Sequence, residues 1–134
     1  MKNLSLVVLR VGIGAVIIWF AIQQINSPAS WIIYLPTFTA SLPISQIGFI
    51  YLNVWFELIF GTLMIVGFYT RIVAFFLAIH LLGIAYTIGL NQTGVRDFGL
   101  SVALISISLY GTSRWSVDEF FERKNSSVAI IKKP

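Results

Sequence analysis

The 134-residue chain has no cysteine and a single histidine. Without cysteine it can form no disulfide, thiolate metal site or cysteine redox relay. One histidine cannot supply both axial ligands of a haem within one subunit. Charge is equally scarce. Asp, Glu, Lys and Arg make up 10% of the residues, against ~25% in an ordinary soluble domain. Motifs for flavin, haem, iron–sulfur cluster, metal or nucleic acid are lacking too. What fills the sequence is apolar surface, with 57% hydrophobic residues and a mean hydropathy of +0.89. A chain this short cannot hide so much apolar area in one water-soluble core. The expected solvent is lipid, which sets aside a soluble enzyme, a secreted disulfide scaffold and a disordered chain.

A bilayer-spanning helix needs ~20 predominantly apolar residues. Four stretches come near this requirement, at 4–25, 46–67, 72–90 and 96–112. They predict an all-α fold, a transmembrane antiparallel four-helix bundle occupying 1–121, followed by a cytoplasmic tail at 122–134. Positive charge decides the orientation. Lys2 precedes the first stretch, Arg71 lies in the second connection, and Arg114, Arg123, Lys124, Lys132 and Lys133 follow the fourth. The other side carries only Arg96, beside Asp97. This bias puts both termini in the cytoplasm.

The connection 26–45 is uncharged and holds Pro28, Pro36 and Pro43, with Trp31 and Tyr34 inside the run WIIYLP. It is expected in the outer interface, with its aromatics at headgroup depth. Ser116 and Glu119 have capping-box spacing. They predict a short amphipathic helix at about 117–123, with Phe120 and Phe121 against the inner membrane surface and frayed residues beyond. Lys2, an apolar stretch and the small residues at 28–30 also resemble a signal peptide, but Arg10 interrupts the stretch, which is long for one.

Ionisable groups at membrane depth cost at least ~2.5–3.5 kcal/mol and normally face the bundle interior. At 1.5 Å of rise per residue, Arg10 stands about 9 Å, His80 about 13 Å and Glu57 about 15 Å above the cytoplasmic ends of their helices. The expectation is one polar layer of Arg10, Glu57 and His80, with an Arg10–Glu57 pair at its centre. Helical spacing draws matching stripes. These are Arg10, Gly14, Ile17, Ala21 and Gln24; Asn53, Glu57, Gly61 and Met64; Phe76, His80, Gly83 and Thr87; and Asp97, Ser101, Ile105, Ser108 and Thr112. Gln24, Asn53, Arg71, Arg96 and Asp97 are supporting candidates. Each has a plainer reading. A buried Arg–Glu pair can serve only to fix helix register. His80 can be a hydrogen-bonded packing residue, Arg96–Asp97 an interface anchor, and Trp19, Trp55 and Trp115 packing or belt aromatics.

Order and spacing of these residues resemble the DoxX family of small bacterial and archaeal membrane proteins, up to Phe121. The family opens its first helix with Arg, then Gly four on, Gly eleven on and Lys fourteen on. Here these are Arg10, Gly14, Ala21 and Gln24, so the second Gly and the Lys are replaced. The family's second helix carries a Glu and ends in a Gly–turn–Arg, matched by Glu57 and by GFYTR ending at Arg71. Its closing Gly-x-Gly-x-x-Ser-Leu-Asp is matched by GTSRWSVD, running from Gly111 to Asp118 with Ser113 for the second Gly.

The resemblance implies a cytoplasmic (inner) membrane protein of a bacterium or archaeon. It also implies an accessory subunit of a quinone-linked respiratory or oxidative-stress redox system, since relatives are linked to quinol or thiosulfate:quinone oxidoreductases. Such a chain is not an enzyme alone. It would work with quinone, lipid and protein partners, and a homo-oligomer remains open. Two alternatives stand beside this reading: a chaperone-like module binding other membrane proteins, and a small-solute or proton transporter.

Overall fold

The computed structural model describes residues 2–111 and 116–131, with side chains described over 4–111 and 116–126. Among the described residues five α-helices follow one another: α1 Lys2–Asn26, α2 Gln46–Val66, α3 Thr70–Ile88, α4 Gln92–Tyr110 and α5 Val117–Ile131. Two 3-10 helices, Pro28–Tyr34 and Thr37–Ser41, lie between α1 and α2.

The expected four-helix bundle of four spans needs correcting. Among the described residues, three helices are long and apolar enough to cross a membrane, over Leu4–Asn26, Gln46–Val66 and Thr70–Ile88. The chain is thus a multi-pass membrane protein. α4 has 19 residues but is too polar to count with them. Gln92, Thr93, Arg96 and Asp97 crowd its first turns, and serines punctuate the rest. The connection 26–45 is largely helical, and α5 continues to Ile131, past the short helix and frayed end expected there. Expectations resting on Thr112, Ser113, Arg114, Trp115, Lys132 and Lys133 fall outside the described residues.

Caps fix the helix ends. The Ser45 hydroxyl accepts the Gly48 N–H at 3.0 Å and starts α2. Gly67 ends α2 in the left-handed region, where its N–H and that of Phe68 both reach the Leu63 carbonyl. The missing Cβ makes that conformation inexpensive. The Asn91 side chain accepts the Gly94 N–H at 2.8 Å, so α4 starts four residues before the expected 96. The Ser116 hydroxyl accepts the Glu119 N–H at 3.2 Å at the start of α5.

The helices associate as two pairs. α1 lies along α2 through Gly14 and Gly61. A Cβ on Gly14 would sit 2.9 Å from the Gly61 carbonyl oxygen and 2.7 Å from Ile65 Cγ1. Such small residues let membrane helices approach closely, where dispersion and hydrogen bonds replace the missing hydrophobic drive. α4 runs back along α3. Arg71 Nε donates to the Ser108 carbonyl at 3.2 Å, and the Ser108 hydroxyl donates to the Arg71 carbonyl at 2.9 Å. Met64, Ala74, Leu77, Leu104 and Ile107 form the centre of the core joining the two pairs. Trp19, Trp55, Ile59, Ile72, Phe75 and Leu109 are exposed, as side chains facing lipid should be.

Candidate functional site

Beyond that core a cavity of about 410 Å³ lies between the two pairs. This lies within the ~300–1,000 Å³ usual for small-molecule sites. Ile17 and Phe20 of α1, Phe49, Ile50 and Phe56 of α2, and Ile84 and Leu100 across from them make most of the wall apolar. Trp31, Tyr34, Leu35 and Pro36 close one end. Trp31 meets Phe20 edge-on at 6.0 Å and lies 5.6 Å from Tyr34. Part of the WIIYLP run therefore turns inward as a cap over the cavity.

Polar side chains converge on this cavity from four helices. Glu57 is 4% exposed, on a membrane-spanning helix. A carboxylate so placed must be satisfied by nearby donors. Gln24 Nε2 donates to Glu57 Oε2 at 2.7 Å. Asn53 Nδ2 donates to Glu57 Oε1 at 3.1 Å and to Gln24 Oε1 at 2.8 Å. The three side chains thus form a closed triangle between α1 and α2. His80 Nε2 approaches Glu57 Oε1 to 3.6 Å, at ion-pair distance. That nitrogen is buried and has no hydrogen-bond partner among the described residues. The imidazole also lies against the Phe56 ring, 4.6 Å between centroids.

On the opposite wall Arg96 donates twice to Asp97 Oδ1, from Nε at 2.8 Å and Nη2 at 2.7 Å. Its guanidinium lies 3.9 Å from the centre of the Phe20 ring. It bridges α4 to α1 by charge and by cation–π contact, an arrangement that suits a planar guanidinium. Asp97 is buried, whereas Arg96 is partly open.

The structure gathers Gln24, Asn53, Glu57, His80, Arg96 and Asp97 at one cavity. Arg10 and Arg71 stand elsewhere. Arg10 is 14 positions before Gln24 on α1, roughly 21 Å along the axis at the helical rise. Its guanidinium packs against Gly67 at the α2–α3 turn. The expected Arg10–Glu57 pair and the single layer of Arg10, Glu57 and His80 do not form. Helical side chains lean toward the N-terminus of their own helix, so Arg10 reaches away from Glu57. On α4, Ser101 is buried as expected, but Ile105 faces outward and Leu104 takes the buried place.

A second cluster gathers at the Arg10 end. The Asp118 carboxylate accepts the Tyr69 N–H at 2.7 Å and the Thr70 N–H at 2.8 Å, while the Asp118 N–H donates to the Gly67 carbonyl at 3.2 Å. Asp118 therefore caps α3 from a distant segment, and Tyr69 adopts φ 48° beneath it. The Arg10, GFYTR and SVD motifs meet here as a clamp between helix ends. Sequence reading missed this cap because its partners are 48 and 49 residues apart. It also missed Trp31, Tyr34, Phe20 and Phe56 as cavity walls. The aromatic spacing of Trp31 and Tyr34 was the available signal.

The sequence profile of the DoxX family matches residues 5–90. No curated protein and no solved structure matches the chain.

Proposed function

The chain belongs to the DoxX family, and from that premise we propose that it is an accessory subunit of a quinone-linked respiratory or oxidative-stress redox system, holding the quinone ring in the cavity between its helix pairs. The observation that carries this reading is the pairing of a mostly apolar chamber with a polar corner at Glu57, where His80 Nε2 is buried with no hydrogen-bond partner among the described residues. A quinone head is a flat apolar ring with two carbonyl acceptors, and such a corner fits it. Bound quinone supplies two-electron, two-proton chemistry, with the electrons coming from a partner protein.

The chain's own residues orient the ring and handle protons. Phe20 and Phe56 flank the space with aromatic faces. His80 Nε2, the buried nitrogen beside Glu57 with no hydrogen-bond partner among the described residues, is the one offered to a ring oxygen. That nitrogen stands 3.6 Å from Glu57 Oε1, so a proton given to the ring oxygen can be replaced from the carboxyl group. Gln24 and Asn53 hold the carboxylate in place with their N–H donors. Lys2, Arg71, Arg123 and Lys124 put the α2–α3 turn and the start of α5 at the cytoplasmic face by the positive-inside rule. The membrane is the inner membrane of a bacterium or archaeon.

The test is equilibrium binding of a decyl benzoquinone to the purified chain in lipid nanodiscs. Saturable binding is expected, weakened about tenfold in His80→Leu, the cost of one lost hydrogen bond to a buried partner. Non-saturable partitioning, equal in wild type and variant, would refute the proposal.

A further inference from the structure

Among the described residues, nothing closes one side of the cavity. α1 and α2 are in tight contact at Gly14 and Gly61, and α3 and α4 are joined through Arg71 and Ser108. Between α1 and α4, the Arg96–Phe20 stack bridges the gap. Trp31 and Tyr34 cover the end toward the connection 26–45, and the stacked Phe56–Phe60 pair borders the apolar core at the other. The remaining side lies between α2 and α3. There the cavity-lining residues Leu52, Ile79, Gly83 and Thr87 are themselves exposed. Both helices are membrane spans, so this opening faces lipid. Gly83 leaves it wide, since a Cβ built there meets nothing within 4 Å.

We infer that the gap between α2 and α3 is a lateral portal to the bilayer, and that the ligand is a membrane-resident amphiphile. Its polar head lies at Glu57 and His80, and its hydrocarbon chain leaves between Leu52 and Gly83 into the lipid. This rests on the quinone reading of the same cavity and narrows it to quinones carrying a long chain. A water-soluble ligand would have to pass the aromatic cap, whereas a lipid-borne one meets an open side. Gly83 is then the residue that sets how thick a chain the site accepts.

The experiment measures equilibrium binding of two quinones to the chain in nanodiscs, one with a long isoprenoid tail and one with the same head and no tail. Wild type is compared with Gly83→Phe and with Gly12→Phe. Gly12 lies on the outer face of α1, and its added Cβ also meets nothing within 4 Å. A phenyl group in the portal collides with the chain and spares the head. The expected result is a loss of about tenfold or more for the tailed quinone in Gly83→Phe, unchanged binding of the tail-less one, and no change for either in Gly12→Phe. Equal affinities of Gly83→Phe and wild type for the tailed quinone would overturn the portal alone, as would equal losses for both quinones. Wild type binding neither quinone would overturn the quinone reading, and the portal with it.

Discussion

Gln24 decides whether Glu57 is tolerable where it stands. Its amide donates the short bond to Glu57 Oε2, while Asn53 serves the other oxygen. Leucine at this position would leave one carboxylate oxygen without its donor in a buried site, at a cost of about 1–3 kcal/mol, with more for a charged group. Lysine, which the DoxX pattern places here, would bring an ammonium to the same carboxylate and keep it satisfied. Gln24→Leu is therefore expected to lower the Tm in detergent by several degrees, and Gln24→Lys to hold it near wild type. Equal Tm values for both variants would show that Gln24 does not support Glu57. At this scale the sequence was informative about residue type and less so about partnership. The intramembrane ionisable groups stood out because they are so few. Which of them meet depended on side-chain direction: Arg10 leans back to the Gly67 turn, and Gln24, one of the supporting candidates, takes its place beside Glu57.

Helix ends were harder to read than helix interiors. The apolar runs announced α1, α2 and α3 to within two residues. α4 reaches back to Gln92 because Asn91 caps it, a signal carried by one side chain beside a polar turn. The start of α3 is held by Asp118 from 48 residues away, and no local pattern contains that information. Asp118→Ala removes an N-cap, worth typically ~1 kcal/mol. The expected outcome is faster hydrogen exchange at the Tyr69 and Thr70 amides, with the middle of α3 keeping its protection. Uniform loss of protection along α3 would mean that the clamp supports the whole helix and more than its first turn. α4 also shows why counting apolar stretches overreached. It is long enough to be taken for a span, but the polar face it turns to α3 and the cavity lowers its average below the other three.

At the scale of the molecule, the cavity is the feature with no sequence signature. It lies between the closely packed pairs α1–α2 and α3–α4, beyond the Leu77–Leu104 core. Its walls come from four helices and a 3-10 segment far apart in the chain, and only their association makes an enclosure. The same arrangement explains how a small protein with so few charges can keep a polar corner inside lipid. The close-packed pairs supply rigidity, and the corner satisfies most of its own groups. The most direct measurement is photolabelling in proteoliposomes with an azido-benzoquinone, the labelled positions being mapped by peptide mass spectrometry. Label is expected on the cavity faces of α2 and α3, around Phe56, Ile79 and His80, suppressed by excess unlabelled quinone. Label spread over the outward faces at Trp19, Trp55 and Phe75, insensitive to the competitor, would contradict it.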